Sequence, residues 1–123
     1  MGLFSRNTVA SKTPWNQLES IDQLNEVLKS AHEKPILIFK HSTRCGISSM
    51  AIKSFENNWT TENTICTLYY LDLLKHRDVS NEIAQLTGVL HQSPQVIVIK
   101  GSEIVYSESH GSIDVRRIEQ KLK

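Results

Sequence analysis

A mixed α/β domain is the fold class this sequence predicts, and three observations carry it. Short runs rich in apolar and β-branched residues alternate with stretches whose apolar residues recur at helical spacing. The last two runs are separated only by Gly101-Ser102, so they form an antiparallel hairpin. Pro94 opens the run before that turn, a position a strand tolerates. The predicted order is α-β-α-β-α-β-β-α, a four-stranded mixed sheet flanked by helices.

Residues 1–14 have little periodicity and end in Thr13-Pro14. A partly ordered tail is expected there, with Trp15 anchoring its end and the domain running over 15–123. Ser20 with Gln23 makes a capping box, and Leu24, Val27, Leu28 and Ala31 predict a helix over about 20–32. Pro35 stops it, and residues 36–40 follow as a strand. From Ile47 the stripe Met50, Ala51, Phe55 and Trp59 predicts a second helix. Residues 65–71 read as a strand, then 78–87 as a helix turning Val79, Ile83 and Leu86 inward and closed by Gly88. Residues 95–100 and 103–107 are the hairpin strands, and Ser112 caps a last helix bearing Ile113, Ile118 and Leu122. A right-handed helical crossover joins the first two strands, which therefore run parallel.

Bulk properties narrow the function. With 123 residues the chain is one domain with a real core, and 39% hydrophobic and 22% charged residues are ordinary for a soluble globular protein. A net charge of +1, with Lys and Arg scattered, argues against a nucleic-acid footprint or a membrane-surface patch. No apolar run approaches the roughly 18 residues of a spanning helix. The start, Met1 to Arg6, lacks the apolar stretch of a signal peptide, and Arg6 takes the Ser/Thr position a myristoylation site needs. Two cysteines without an export signal predict a reducing, cytoplasmic setting.

The chemistry centres on Cys45. An apolar strand leads through His41-Ser42-Thr43-Arg44 to Cys45, where the helical pattern begins. Sulfur at a helix N-terminus meets unpaired N–H groups and the positive end of the macrodipole, which favour a thiolate, and Arg44 adds positive charge. Thr43 shapes the turn or donates a hydrogen bond to sulfur. Three residues on, where a dithiol enzyme has its second cysteine, stands Ser48, whose plainest reading is a helix-surface serine. Cys66 begins a strand parallel to the one before Cys45, so the two lie at opposite ends of the sheet, roughly 15 Å apart at about 3.3 Å per residue. A disulfide needs Cα atoms within about 7 Å, so Cys66 is expected in the core and not as a resolving thiol. The five histidines are dispersed; His41 ends a strand without a third orienting group, and no metal-ligand spacing exists.

The element order, with a proline opening the third strand, is the thioredoxin arrangement. Thr43-Arg44-Cys45-Gly46-Ile47-Ser48, with His91-Gln92-Ser93-Pro94-Gln95 and the Lys100-Gly101 hairpin, resembles the YtxJ-type monothiol bacilliredoxins from about Trp15 to the C-terminus. One departure is Gly46, where many relatives carry proline; glycine starts a helix less well but removes nothing the chemistry needs. A further difference, from thioredoxin itself, is one extra residue between Gly88 and Pro94.

The resemblance implies removal of bacillithiol from protein mixed disulfides through Cys45, as a thiol–disulfide oxidoreductase. It implies that Pro94 is cis and faces the nucleophile, so that the Ser93 backbone offers strand-like hydrogen bonds to a substrate. Gly111 and Ser112, opening the last helix, are candidates for binding a carboxylate of the small thiol, or serve as an ordinary helix cap. Bacillithiol is the expected co-substrate, with no metal or tightly bound cofactor. The expected partners are bacillithiolated clients and an external disulfide reductase, with neither nucleic acid nor membrane. Two alternatives stay open: a client-binding or redox-sensing adaptor without turnover, and a glutaredoxin-like enzyme using another small thiol.

Overall fold

The apolar runs become the inner strands of one sheet, and the amphipathic stretches cover its two faces. The computed structural model describes residues 13–61 and 65–123, so most of the expected tail at 1–14 lies outside the described residues. In chain order the elements are β1 (Asn16–Gln17), α1 (Ile21–Ser30), β2 (Ile36–His41), α2 (Gly46–Asn58), β3 (Thr67–Asp72), α3 (Arg77–Thr87), β4 (Gln95–Lys100), β5 (Glu103–Ser109) and α4 (Val115–Lys121). A short 3-10 turn, His110–Ser112, precedes α4.

The sheet has five strands, not four, in the order β1-β3-β2-β4-β5. The added strand is two exposed polar residues that pair in parallel with Tyr69 and Tyr70 at the sheet's edge. β2 and β3 are parallel, whereas β2/β4 and β4/β5 are antiparallel. Alternation along β2 splits the core: Leu37 and Phe39 join Ile52 and Phe55 of α2 and Ile118 of α4. Ile36 and Ile38 join Leu24 and Val27 of α1 and Val79 and Ile83 of α3. Each such side chain contributes about 1.5–3 kcal/mol of hydrophobic stabilisation.

Capping follows the residue chemistry with one correction. Ser20 Oγ accepts from Gln23 N–H at 3.1 Å, and Gln23 Oε1 accepts from the Glu19 N–H at 2.7 Å. Gly88 closes α3 at φ 73°, a left-handed conformation that glycine adopts cheaply. Ser112 does not cap α4: it lies in the 3-10 turn, and Asp114 is the cap, its carboxylate accepting from the Arg116 N–H at 3.0 Å. One inward assignment also changes: Leu86 is 50% exposed, and Met50 of the α2 stripe is 73% exposed. In α2 the buried positions are Ser48, Ile52 and Phe55, an i, i+4, i+7 series that starts on a serine.

Register brings the two motifs to one end of the sheet. His41, the last residue of β2, pairs with Asp72, the last of β3. Lys40 pairs with Gln95 at the start of β4, and Gln95 pairs with Ser109 at the end of β5. The chain leaving β2 for Cys45, the chain entering β4 through Pro94, and the chain leaving β5 for His110 therefore share that end.

Candidate active site

Cys45 is the N-cap residue of α2, with extended backbone (φ −105°, ψ 121°) and partial exposure. Its N–H donates to Ser42 O at 3.1 Å, closing the turn, and its carbonyl accepts the Ser49 N–H at 3.0 Å. The sulfur thus stands where a capping oxygen usually does, beside the unpaired N–H groups of the first helical turn. Thr43 and Arg44 are exposed on the approach to it. Gly46 begins the helix with open space around the position of a side chain.

Ser48 is not on the surface. It is fully buried, its Oγ 2.7 Å from His41 Nδ1 and accepting from the Ser42 N–H at 3.1 Å. The hydroxyl ties the end of β2 to the first turn of α2. Burial pushes the His41 pKa below its ordinary value, opposed in part by the negative charges of Asp72 and Glu56. A neutral His41 ring can accept the Ser48 proton. Tyr70 lies against it, ring centres 5.6 Å apart, its pKa pushed up to about 12 first by burial and then by Asp72 and Glu56.

Cys66 is completely buried, next to the β3 residue that pairs with Ile36 at the opposite end of β2 from the Cys45 turn. Burial pushes its thiol up to about 12, which leaves it protonated and unreactive at neutral pH. Cys45 and Cys66 are both free thiols.

The Ser93-Pro94 peptide bond is cis. Pro94 is buried, and its carbonyl accepts the His110 N–H at 3.0 Å. The Ser93 hydroxyl is buried without a hydrogen-bond partner among the described residues. Gly111 and Ser112 are exposed, and Ser112 O accepts from the Tyr106 hydroxyl at 3.3 Å. An open groove of about 1050 Å³ runs beside this turn, lined by Ile47, Met50, His110, Gly111 and Ser112 among others. His110 starts the turn at φ 54°, left-handed backbone that costs a non-glycine residue roughly 1–2 kcal/mol.

The sequence reading missed Lys40, whose side chain is fully buried on the α3 side of the sheet. Its Nζ donates to Ser80 O and to His91 Nδ1, each at 3.3 Å. Burial lowers its pKa from 10.5 to about 8. His91 is held below its ordinary value by burial, then by Lys40 and Arg77. The available signal was the Lys40-His41 pair closing an otherwise apolar strand directly before the cysteine turn. Among the described residues, no group of three or more His, Cys, Asp or Glu side chains could hold a metal ion. No helix among them is long and apolar enough to cross a membrane.

A solved structure described by its thioredoxin fold matches with 33% identity and a TM-score of 0.75, covering 89% of this chain and 94% of its own. The thioredoxin Mala s 13 of Malassezia sympodialis matches at 20% identity and TM-score 0.65, over 89% of this chain and 88% of its own. Schistosoma mansoni thioredoxin matches at 16% and 0.64, over 92% and 96%. At those lower identities the likeness establishes the thioredoxin fold alone. The family model of the monothiol bacilliredoxin BrxC matches residues 16–118, which include Cys45, the cis-Pro94 segment and the turn at His110. With the single partly exposed thiol at the start of α2, that match assigns the chain a thiol redox function. The chain belongs to the monothiol bacilliredoxin family.

Proposed function

We propose that this protein is a thiol–disulfide oxidoreductase that removes bacillithiol from protein mixed disulfides in the cytoplasm. The observation that carries the reading is the pairing of a partly exposed Cys45 at the start of α2 with a buried Ser48 three residues on. One sulfur can be loaded, and no neighbouring thiol can unload it.

In the first step the Cys45 thiolate attacks the bacillithiol-side sulfur of the mixed disulfide. The Cys45–bacillithiol disulfide forms, the client–bacillithiol disulfide breaks, and the electron pair leaves with the client thiolate, which takes a proton from solvent. In the second step free bacillithiol, as its thiolate, attacks the bacillithiol sulfur on Cys45. Oxidised bacillithiol leaves, and the Cys45 thiolate is restored. A separate reductase returns that small disulfide to two thiols. Bacillithiol is thus a co-substrate, and the chemistry calls for no metal or tightly held cofactor. The partly exposed Cys45 sulfur serves both steps, as the attacking atom in the first and the leaving atom in the second. The exposed Ile47 and Met50, two and five residues after Cys45, offer apolar contact to a client chain.

The test is turnover of a bacillithiolated client followed by intact-mass spectrometry, with Cys45→Ser as control. Client release with a transient bacillithiol adduct on Cys45 supports the carrier mechanism. An untouched client and an unmodified Cys45 defeat it and favour a non-catalytic adaptor. Release from a glutathionylated client alone moves the reading to a glutaredoxin-like enzyme.

A further inference from the structure

We propose that His110 is a substrate-binding, specificity-determining residue of the groove between α2 and α4, its imidazole receiving a carboxylate of the small thiol carried on Cys45. The inference rests on the proposed de-thiolation.

His110 is the only non-glycine residue with left-handed backbone among the described residues, at φ 54°. A histidine in that conformation is uncommon, and such residues concentrate where a site holds them. Here the holder is visible: the His110 N–H donates to Pro94 O at 3.0 Å, so the cis-Pro94 segment fixes the turn. Glycine, which takes this conformation freely, occupies the next position instead, at Gly111. The His110 side chain gives no packing in return. It is exposed, and its ring has no hydrogen-bond partner among the described residues.

What the ring gains is a place in the groove. It lines the same cleft as Ile47 and Met50, which follow Cys45 on α2, and as Arg116 on α4. The charged groups along this cleft are Glu108 from β5, Asp114, Arg116, Arg117 and Glu119. Two of the three acids are already engaged. Asp114 caps α4 and lies 3.9 Å from Arg117, and Glu119 accepts from the Thr60 hydroxyl at 2.9 Å and from Thr61. His110 and Arg116 remain as donors toward an incoming anion, on a wall joined by a hydrogen bond to the Pro94 segment. A carboxylate-bearing thiol fits that pair, whereas a cationic thiol is repelled by it and has only Glu108 to meet.

The test uses one client protein loaded with bacillithiol, which bears carboxylates, or with cysteamine, which bears an amine and none. The full chain is compared with His110→Asn and His110→Gly, both of which accept left-handed backbone. The expected result is that the preference for the bacillithiol adduct, as a ratio of kcat/KM values, falls about tenfold. The loss should appear mainly in KM for the bacillithiolated client, with the glycine variant as thermostable as the parent or more so. A purely structural His110 moves both adducts together or tracks thermal stability. Equal loss on both adducts, or no loss on either, overturns the assignment while leaving the proposed function standing. A parent protein that leaves the bacillithiolated client intact overturns both.

Discussion

Ser48 Oγ lies 2.7 Å from His41 Nδ1, and this contact occupies the hydroxyl that stands where a second thiol would be. The same oxygen accepts the Ser42 N–H, so removing it strands two buried polar groups. Ser48→Ala is expected to cost about 1–3 kcal/mol in urea unfolding while leaving Cys45 present. Ser48→Cys places a thiol one helical turn from Cys45. Oxidation should then remove two hydrogens from the intact mass, and an adduct on Cys45 should clear once without free thiol, leaving an internal disulfide that must be reduced before the next turnover. A Ser48→Cys protein that stays dithiol under oxidants would show that the buried position cannot reach Cys45.

Lys40 makes a pH prediction with a definite sign. Its folded pKa is about 8 against 10.5 for a free lysine, so burial of the ammonium opposes folding. That penalty is fully present below about pH 8 and is relieved as pH rises toward 10.5, because the unfolded chain binds the extra proton in that window. A shift of this size corresponds to about 3 kcal/mol, offset in part by the bonds to Ser80 and His91. Lys40→Met is expected to be as stable as the parent or more so at pH 7, with its advantage shrinking between pH 8 and 10. Taking the difference between the two proteins cancels the opposite trend of Cys66 and Tyr70, whose folded pKa values of about 12 reduce stability as pH rises. A difference that is flat with pH contradicts a buried, titrating Lys40.

Gly46→Pro is expected to stabilise the chain by about 0.4–1 kcal/mol. The position is the first of α2, a Cβ there meets nothing within 4 Å, and Cys45 before it already has the extended backbone a following proline requires. Thermal unfolding of the two proteins checks this, and a lowered midpoint argues that the Gly46 N–H is used.

A thiol reagent applied to the native protein is expected to modify Cys45 alone, with Cys66 reacting only after denaturation. Mass mapping of the labelled peptides reads the outcome. Labelling of Cys66 at native pH would mean that its end of the sheet opens readily.

Local signals identified most of this architecture. β4 runs over Gln95–Lys100, the expected bounds, because Pro94 and Gly101 bracket its apolar run. β1 was invisible because two polar residues carry no period; only the Tyr69-Tyr70 backbone makes them a strand. Asp114 displaced Ser112 as cap because the chain first closes the 3-10 turn at His110, set by the contact to Pro94. At the site, Cys45 and Pro94 were legible because each has a local signature. Lys40 was not, since its burial depends on Ser80 and His91, 40 and 51 residues away. Ser48 looked external for the same reason: its partner is a histidine on another element.

The two margins of the sheet bear on the company this protein keeps. β1 is two residues long, and β5 has a register shift opposite Val98 and Ile99, with Glu103 at its start and Glu108 near its end. Short, bulged and acidic margins are poor templates for an added strand. Neither edge of the sheet is thereby suited to recruiting a further strand from another chain.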